Sequence, residues 1–206
     1  MASNASEPRR RLEYNESQRE GHKLLQQFPF VALIGPAGSG KTHLALDYAA
    51  KQIRRQQADK IYFVRKPSDM GRSSLGYLPG EANEKMAPYV AHAKEMGKEV
   101  GISEHAIFVV PLCYVQGRTF NDAIVIVDEC QTLDIPEFRG IFTRLGKNSQ
   151  MIFVGDPMQD SRREGKLRLF LSRVEGLSCF GVQYFTAADN MRHPAINEVW
   201  NAVEDL

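Results

Sequence analysis

VALIGPAGSGKTHLAL, residues 31–46, joins a short apolar run to a helical pattern through a glycine-rich turn. Within it, GPAGSGKT at 35–42 satisfies G-x-x-x-x-G-K-S/T at every fixed position. Such a loop must turn sharply and offer successive backbone N–H groups to phosphate oxygens, which glycine-rich backbone does without steric cost. The helix that follows adds the positive end of its dipole. Gly35, Pro36, Ala37, Gly38, Ser39 and Gly40, with Lys41, Thr42 and His43 at the helix start, are therefore the expected cradle for the phosphates of a nucleotide. Lys41 is expected to reach the β- and γ-phosphates, and the Thr42 hydroxyl to ligate Mg2+.

Working outward, short apolar runs recur at Phe30–Ile34, Ile61–Val64, Ile107–Val110, Ala123–Val127, Met151–Val154 and Val182–Phe185. They are continuous rather than alternating, as expected of parallel strands covered on both faces. Helical patterns separate them. One runs over Thr42–Gln57, and another over Ile135–Leu145, with Asp134 as cap, Pro136 in the first turn and Gly146 as stop. Near the C-terminus, Ile196, Val199, Trp200 and Val203 fall on one helix face, a core-packing stripe. The alternation predicts an α/β fold, a single P-loop NTPase domain with a mostly parallel sheet flanked by helices.

The chain of 206 residues suits one such domain, spanning 14–206 after a polar, disordered lead-in at 1–13. A net charge of +1 excludes a strongly basic arm-type nucleic-acid binder but leaves room for a local basic patch. The three dispersed cysteines follow no metal-ligand spacing and fit a reduced compartment. No stretch reads as a signal peptide or membrane span, so the expectation is a cytoplasmic protein with no membrane partner.

Binding a phosphate is not yet hydrolysis, and a second stretch bears on that. AIVIVDE at 123–129 is a buried-type strand ending in two acids. Asp128 at its C-terminal end is placed to support the Mg2+ shell. Glu129 beside it is suited to polarise an attacking water as general base. An acid in that position favours a hydrolase over a kinase, which must keep water from the γ-phosphate. A third strand end carries GDPMQ at 155–159, where the Gln159 amide is suited to sense the γ-phosphate.

With these residues assembled, the chain resembles the PhoH-like family of ATPases, relatives of the superfamily-one helicase motor domain. The resemblance runs from about Asn15 onward. Beyond the loop it rests on Arg65-Lys66-Pro67, LGYLPG at 75–80, GRTFN at 117–121 leading into IVIVDECQ, FTRLG at 142–146, GDPMQ and MRHP at 191–194, in order. Lys66 stands where the family usually has Arg, and Cys130 where it has Ala. The resemblance implies that Lys41 and Thr42 hold phosphate and Mg2+, that Asp128 supports the metal, that Glu129 is the catalytic base and that Gln159 is the sensor. Asn15 to Gln18 is similar to the N-x-x-Q element by which helicase relatives recognise adenine, which makes Gln18 the expected adenine contact.

Hydrolysing motors usually stabilise γ-phosphate charge with an arginine. The family resemblance implies a homo-oligomer, a hexameric ring in which a neighbouring subunit supplies it in trans; Arg192 is the first candidate and Arg144 the second. Some relatives fuse a nuclease domain, and here nuclease activity is expected only from a separate partner. Arg65, Lys66 and Arg72, with Arg162, Arg163, Lys166 and Arg168, are candidates to line a channel for single-stranded RNA or DNA, with Tyr77 or Tyr114 for stacking. Two functions stay open at this point: an ATPase coupled to single-stranded nucleic acid, helicase- or translocase-like, and an oligomeric ATPase acting on or signalling to a protein partner. Phosphotransfer to a small molecule is the least favoured.

Overall fold

A computed structural model describes residues 13–66, 79–160 and 165–191, together with positions 195, 198 and 199. Positions 1–12 of the expected lead-in lie outside these residues. Six strands form one sheet: β1 (Phe30–Ile34), β2 (Lys60–Arg65), β3 (Ile107–Pro111), β4 (Ala123–Asp128), β5 (Gln150–Gly155) and β6 (Phe180–Tyr184). Their order is β3-β2-β4-β5-β1-β6, and every pairing is parallel. All strands therefore end at one edge, and β4 and β5 are buried at every residue, as their unbroken hydrophobicity requires.

Alternate residues of each strand feed opposite faces. Val31, Leu33, Ile61, Phe63, Ile124, Ile126 and Ile152 pack with Leu25 of α1 (Glu16–Gln27), Leu44 of α2 (Lys41–Arg54) and Ala93 of α3 (Pro79–Glu99). Ala32, Ile34, Val64, Val125, Val127 and Phe153 pack with Phe138 of α4 (Ile135–Phe142) and Phe170 of α5 (Lys166–Val174). The Phe138 and Phe170 rings stack at 4.1 Å. The result is a sheet between two helical layers, the α/β architecture that the sequence alternation predicts.

The departures are local. Helix α2 stops at Arg54, not Gln57, because Gln56 turns left-handed at φ 57°. Helix α4 carries the expected Asp134 cap, completed as a capping box by Glu137, but stops at Phe142 rather than Leu145. There the chain leaves the helix to pair Leu145 with Phe120, and the Gly146 N–H donates to the Phe120 carbonyl at 2.8 Å. Strand β6 begins two residues early because Phe180 and Gly181 align with Phe30 and Val31. Helices α1, α3 and α5 are absent from the sequence reading. For α3 the signal is present, since Met86, Val90, Ala93, Gly97 and Val100 recur at helical spacing. Of the C-terminal stripe only Val199 lies among the described residues, and it is 62% exposed.

Candidate nucleotide site

The chain reverses after β1 with Gly35 at φ +151°, where a Cβ would stand 2.4 Å from the Phe185 carbonyl oxygen. Only glycine fits there. The loop ends at Gly40, left-handed at φ +78°, which is the N-cap of α2 and has no side-chain cap. The first N–H groups of α2 thus stay free of a capping side chain, as an anion-binding helix start requires.

Lys41 folds back under the loop, where its Nζ donates to the Pro36 carbonyl at 2.6 Å and to the Ser39 hydroxyl at 3.1 Å. Burial lowers its pKa, while Asp156, Glu129 and Asp128 pull the other way and favour the ammonium. The Thr42 hydroxyl donates to Asp128 Oδ1 at 3.3 Å, which joins the start of α2 to the end of β4. Burial pushes Asp128 up to about 6, with Glu129 adding to the rise and Arg65 and the Thr42 hydrogen bond opposing it. Arg65, opposite Asp128 in the β2–β4 register, donates to its Oδ2 at 3.1 Å and stands 3.7 Å from Glu129 Oε1.

Glu129 leaves the strand in a left-handed conformation, φ 52° and ψ 43°. That turn releases its carboxylate from the buried strand, and Gln131 Nε2 donates to Glu129 Oε2 at 2.6 Å. The Gln131 Oε1 in turn accepts the Asp156 backbone N–H at 3.0 Å. Asp156 Oδ2 then accepts from Gln159 Nε2 at 2.8 Å. One chain of hydrogen bonds therefore runs from Glu129 just beyond β4 to Gln159 beyond β5. Gln131 and Asp156 were missed as functional residues, although both stand inside motifs that the sequence displays.

These groups line a cavity of about 530 Å3 at the C-terminal edge of the sheet. Ala37, Gly38, Gly40, Lys41, Thr42, His43, Asp128, Glu129 and Gln159 all face it. Its outer wall is α3, through His92, Met96 and Glu99, and His43 Nδ1 is 3.9 Å from Glu99. Ligands of open parallel sheets bind at this edge. A larger hollow of about 630 Å3 lies at the opposite edge, lined by Gln52, Asp122 and Gln150 among others, and none of the loop residues reaches it.

Other expected residues stand elsewhere. Gly35, Pro36 and Ser39 shape the loop without lining the cavity. Gln18 is buried behind the loop, where its Nε2 donates to the Ser39 carbonyl at 3.3 Å and contacts Met191 Sδ at 2.8 Å. Its Oε1 completes the α1 capping box by accepting the Asn15 N–H. Arg144 lies away from the cavity and donates to Thr143 Oγ1. Lys66 pairs with Glu137 at 2.8 Å, Arg168 donates to Met158 Sδ, and Tyr114 is 53% exposed. Arg192, Arg72, Arg162, Arg163 and Tyr77 lie outside the described residues.

The donor set fits Mg2+. Thr42 and Asp128 offer hard oxygen donors at the base of the cavity beside Lys41. Among the described residues no group of three or more His, Cys, Asp and Glu side chains gathers to hold a metal. Magnesium is commonly held by one or two carboxylates and the phosphates themselves, so two protein oxygens are a suitable share.

A parallel sheet with a glycine loop, a buried lysine and a threonine–aspartate pair at its C-terminal edge defines a P-loop NTPase fold. The family model described as "PhoH-like protein" matches residues 12–204. A PhoH-like protein of Bacillus subtilis (strain 168) is 32% identical over 198 residues, covering 91% of this chain and 62% of the relative. One from Synechocystis sp. is 33% identical over 201 residues, covering 91% and 60%. Protein PhoH of Escherichia coli (strain K12) is 30% identical over 198 residues, covering 88% and 54%. The chain belongs to the PhoH-like family, and it spans about three fifths or less of the length of these relatives. Among solved structures, the large terminase of a thermophilic bacteriophage superposes with a TM-score of 0.60 at 12% identity, over 92% of this chain and 50% of the terminase. A second crystal form of that terminase, in complex with ADP, gives 0.58 at 12% identity, over 92% and 50%. These share the fold. No helix among the described residues is long and apolar enough to cross a membrane.

Proposed function

We propose that this chain binds ATP with Mg2+ and hydrolyses it. The observation that carries this reading is the Glu129 carboxylate, held at the cavity by Gln131 beside the Thr42–Asp128 pair. Backbone N–H groups of the loop and the start of α2 bind the phosphates, and Lys41 turns its ammonium from the Pro36 carbonyl to them. When bound at Thr42 and Asp128, Mg2+ supplies charge neutralisation at the phosphates. Glu129 takes the proton of a water as its oxygen bonds to the γ-phosphorus and the bond to the β,γ-bridging oxygen breaks, releasing ADP and inorganic phosphate. Gln159, tethered to Asp156, senses whether the terminal phosphate is present.

We further propose that turnover is coupled to single-stranded nucleic acid in an oligomeric ring within the cytoplasm. Family membership and the helicase-like order of the motifs support this, as do Lys166 and Arg168 on α5 and the exposed Tyr114. The test is steady-state ATP hydrolysis with Mg2+, with and without single-stranded RNA or DNA at low and moderate salt, using Lys41→Ala as the blank. Stimulation that fades with salt supports the polymer reading. Turnover indifferent to both polymers transfers the work to a protein partner, and no turnover above the blank overturns hydrolysis.

A further inference from the structure

The cavity contains one arginine among the described residues, Arg65, which stands opposite Asp128 in the ladder. Its guanidinium is bracketed on two sides. Asp128 Oδ2 accepts from Nη1 at 3.1 Å, and the Tyr89 ring of α3 lies under the guanidinium carbon with its centroid at 4.8 Å. Such a cation–π bracket fixes the plane of the fork and tolerates its rotation.

The carboxylate of Asp128 divides its oxygens between two donors. Oδ1 takes the Thr42 hydroxyl at 3.3 Å, and Oδ2 takes Arg65. Arg65 is thus one carboxylate away from the hydroxyl that marks the terminal-phosphate end of the loop. A guanidinium carries five donor hydrogens. Among the described residues only the bond to Asp128 falls within hydrogen-bond distance, since the contact to Glu129 is 3.7 Å. Most of the fork is left for an anion, and side-chain exposure of 21% keeps it largely out of bulk water, where its charge acts more strongly.

We propose that Arg65 supplies, from the same chain, the guanidinium that stabilises negative charge on the terminal phosphate during hydrolysis. This rests on the nucleotide reading above and changes the source of the arginine, which the family resemblance places in a neighbouring subunit. Arg65 gives and takes no proton. It donates hydrogen bonds to phosphate oxygens while water adds to the γ-phosphorus, Glu129 takes the proton, and ADP departs. Asp128 and Tyr89 are its positioning partners.

The experiment compares wild type, Arg65→Lys and Arg65→Gln in ATP turnover and in binding of a fluorescent ADP with and without fluoroaluminate, a mimic of the transferring phosphoryl group. Arg65→Lys keeps the charge beside Asp128, so melting at the wild-type temperature confirms its fold. Arginines in this role are worth roughly 10³-fold or more in kcat, and a loss of that order is expected in both variants. KM for ATP and the ADP affinity stay within about threefold, while the fluoroaluminate complex weakens in step with kcat. Mixing Arg65→Gln with Glu129→Gln subunits restores nothing, because each site draws both residues from one chain. Recovery on mixing, wild-type kcat in Arg65→Lys, or equal losses of ADP and fluoroaluminate binding would overturn the proposal. A wild type that neither turns over ATP nor binds ADP overturns the nucleotide reading itself.

Discussion

Gln131 bridges the segments that follow β4 and β5 and holds Glu129: its Nε2 donates to Glu129 Oε2 at 2.6 Å while its Oε1 accepts the Asp156 N–H at 3.0 Å. Gln131 is 4% exposed, so neither bond is exchanged for water at low cost. Gln131→Ala leaves a buried N–H unpaired and frees the Glu129 carboxylate. The expected loss is about 1–3 kcal/mol of stability. Misplacement of the base lowers kcat by about 10²-fold, with ADP affinity retained. Chemical denaturation and steady-state kinetics on the same preparation check both, and wild-type kcat would remove Gln131 from the positioning of Glu129.

Glu129→Gln keeps the shape of the base and removes its proton affinity. Nucleotide binding is expected to persist while turnover falls by about 10²–10⁴-fold, the usual share of a general base. Isothermal calorimetry with ADP, set beside a phosphate-release assay, separates the two quantities. Equal turnover in variant and wild type would assign water activation elsewhere.

Asp128 imposes a pH dependence on stability. Its native pKa, about 6, lies above its ordinary value of 3.8, so the native state holds its proton more tightly than the unfolded chain. The sign follows from linkage: between about pH 4 and 6 the native state binds more protons, and this group's contribution favours folding as pH falls through that window. Asp128→Asn removes that dependence. Without nucleotide or metal, the stability difference between Asp128→Asn and wild type is expected to shift in the wild type's favour from pH 7 to pH 4. A difference flat over that range, measured by urea denaturation at several pH values, would contradict the raised pKa.

Gly35→Ala tests the loop. The new Cβ would lie 2.4 Å from the Phe185 carbonyl oxygen, at a φ that L side chains rarely adopt. Backbone must move, at a cost of about 1–3 kcal/mol, and the loop loses its phosphate geometry. Thermal melting together with ADP titration checks this; a variant with wild-type melting and affinity would show that the loop has another route around Phe185.

The strands, the phosphate loop and the two acids at the end of β4 were legible in the chain itself because their signals are local. Continuous apolar runs identify buried strands, and the glycine spacing carries its own conformational reason, as at Gly35 and Gly40. The Asp134 cap was equally local, and the structure adds Glu137 to it as a capping box. Tertiary structure decided what joins distant segments. Arg65 meets Asp128 because β2 and β4 are neighbours in the sheet, with β3 placed outside them, and no spacing along the chain encodes that adjacency. Gln131 meets Asp156 because β4 and β5 are neighbours, and Tyr89 meets Arg65 because α3 walls the same cavity. Gln18 is the expected adenine contact on its motif alone; what folding adds is its place behind the loop, with protein partners at both ends of its amide. Residue type and local spacing specified which chemistry this protein carries; which side chains face one another across it came from the order of the strands and the helices packed on them.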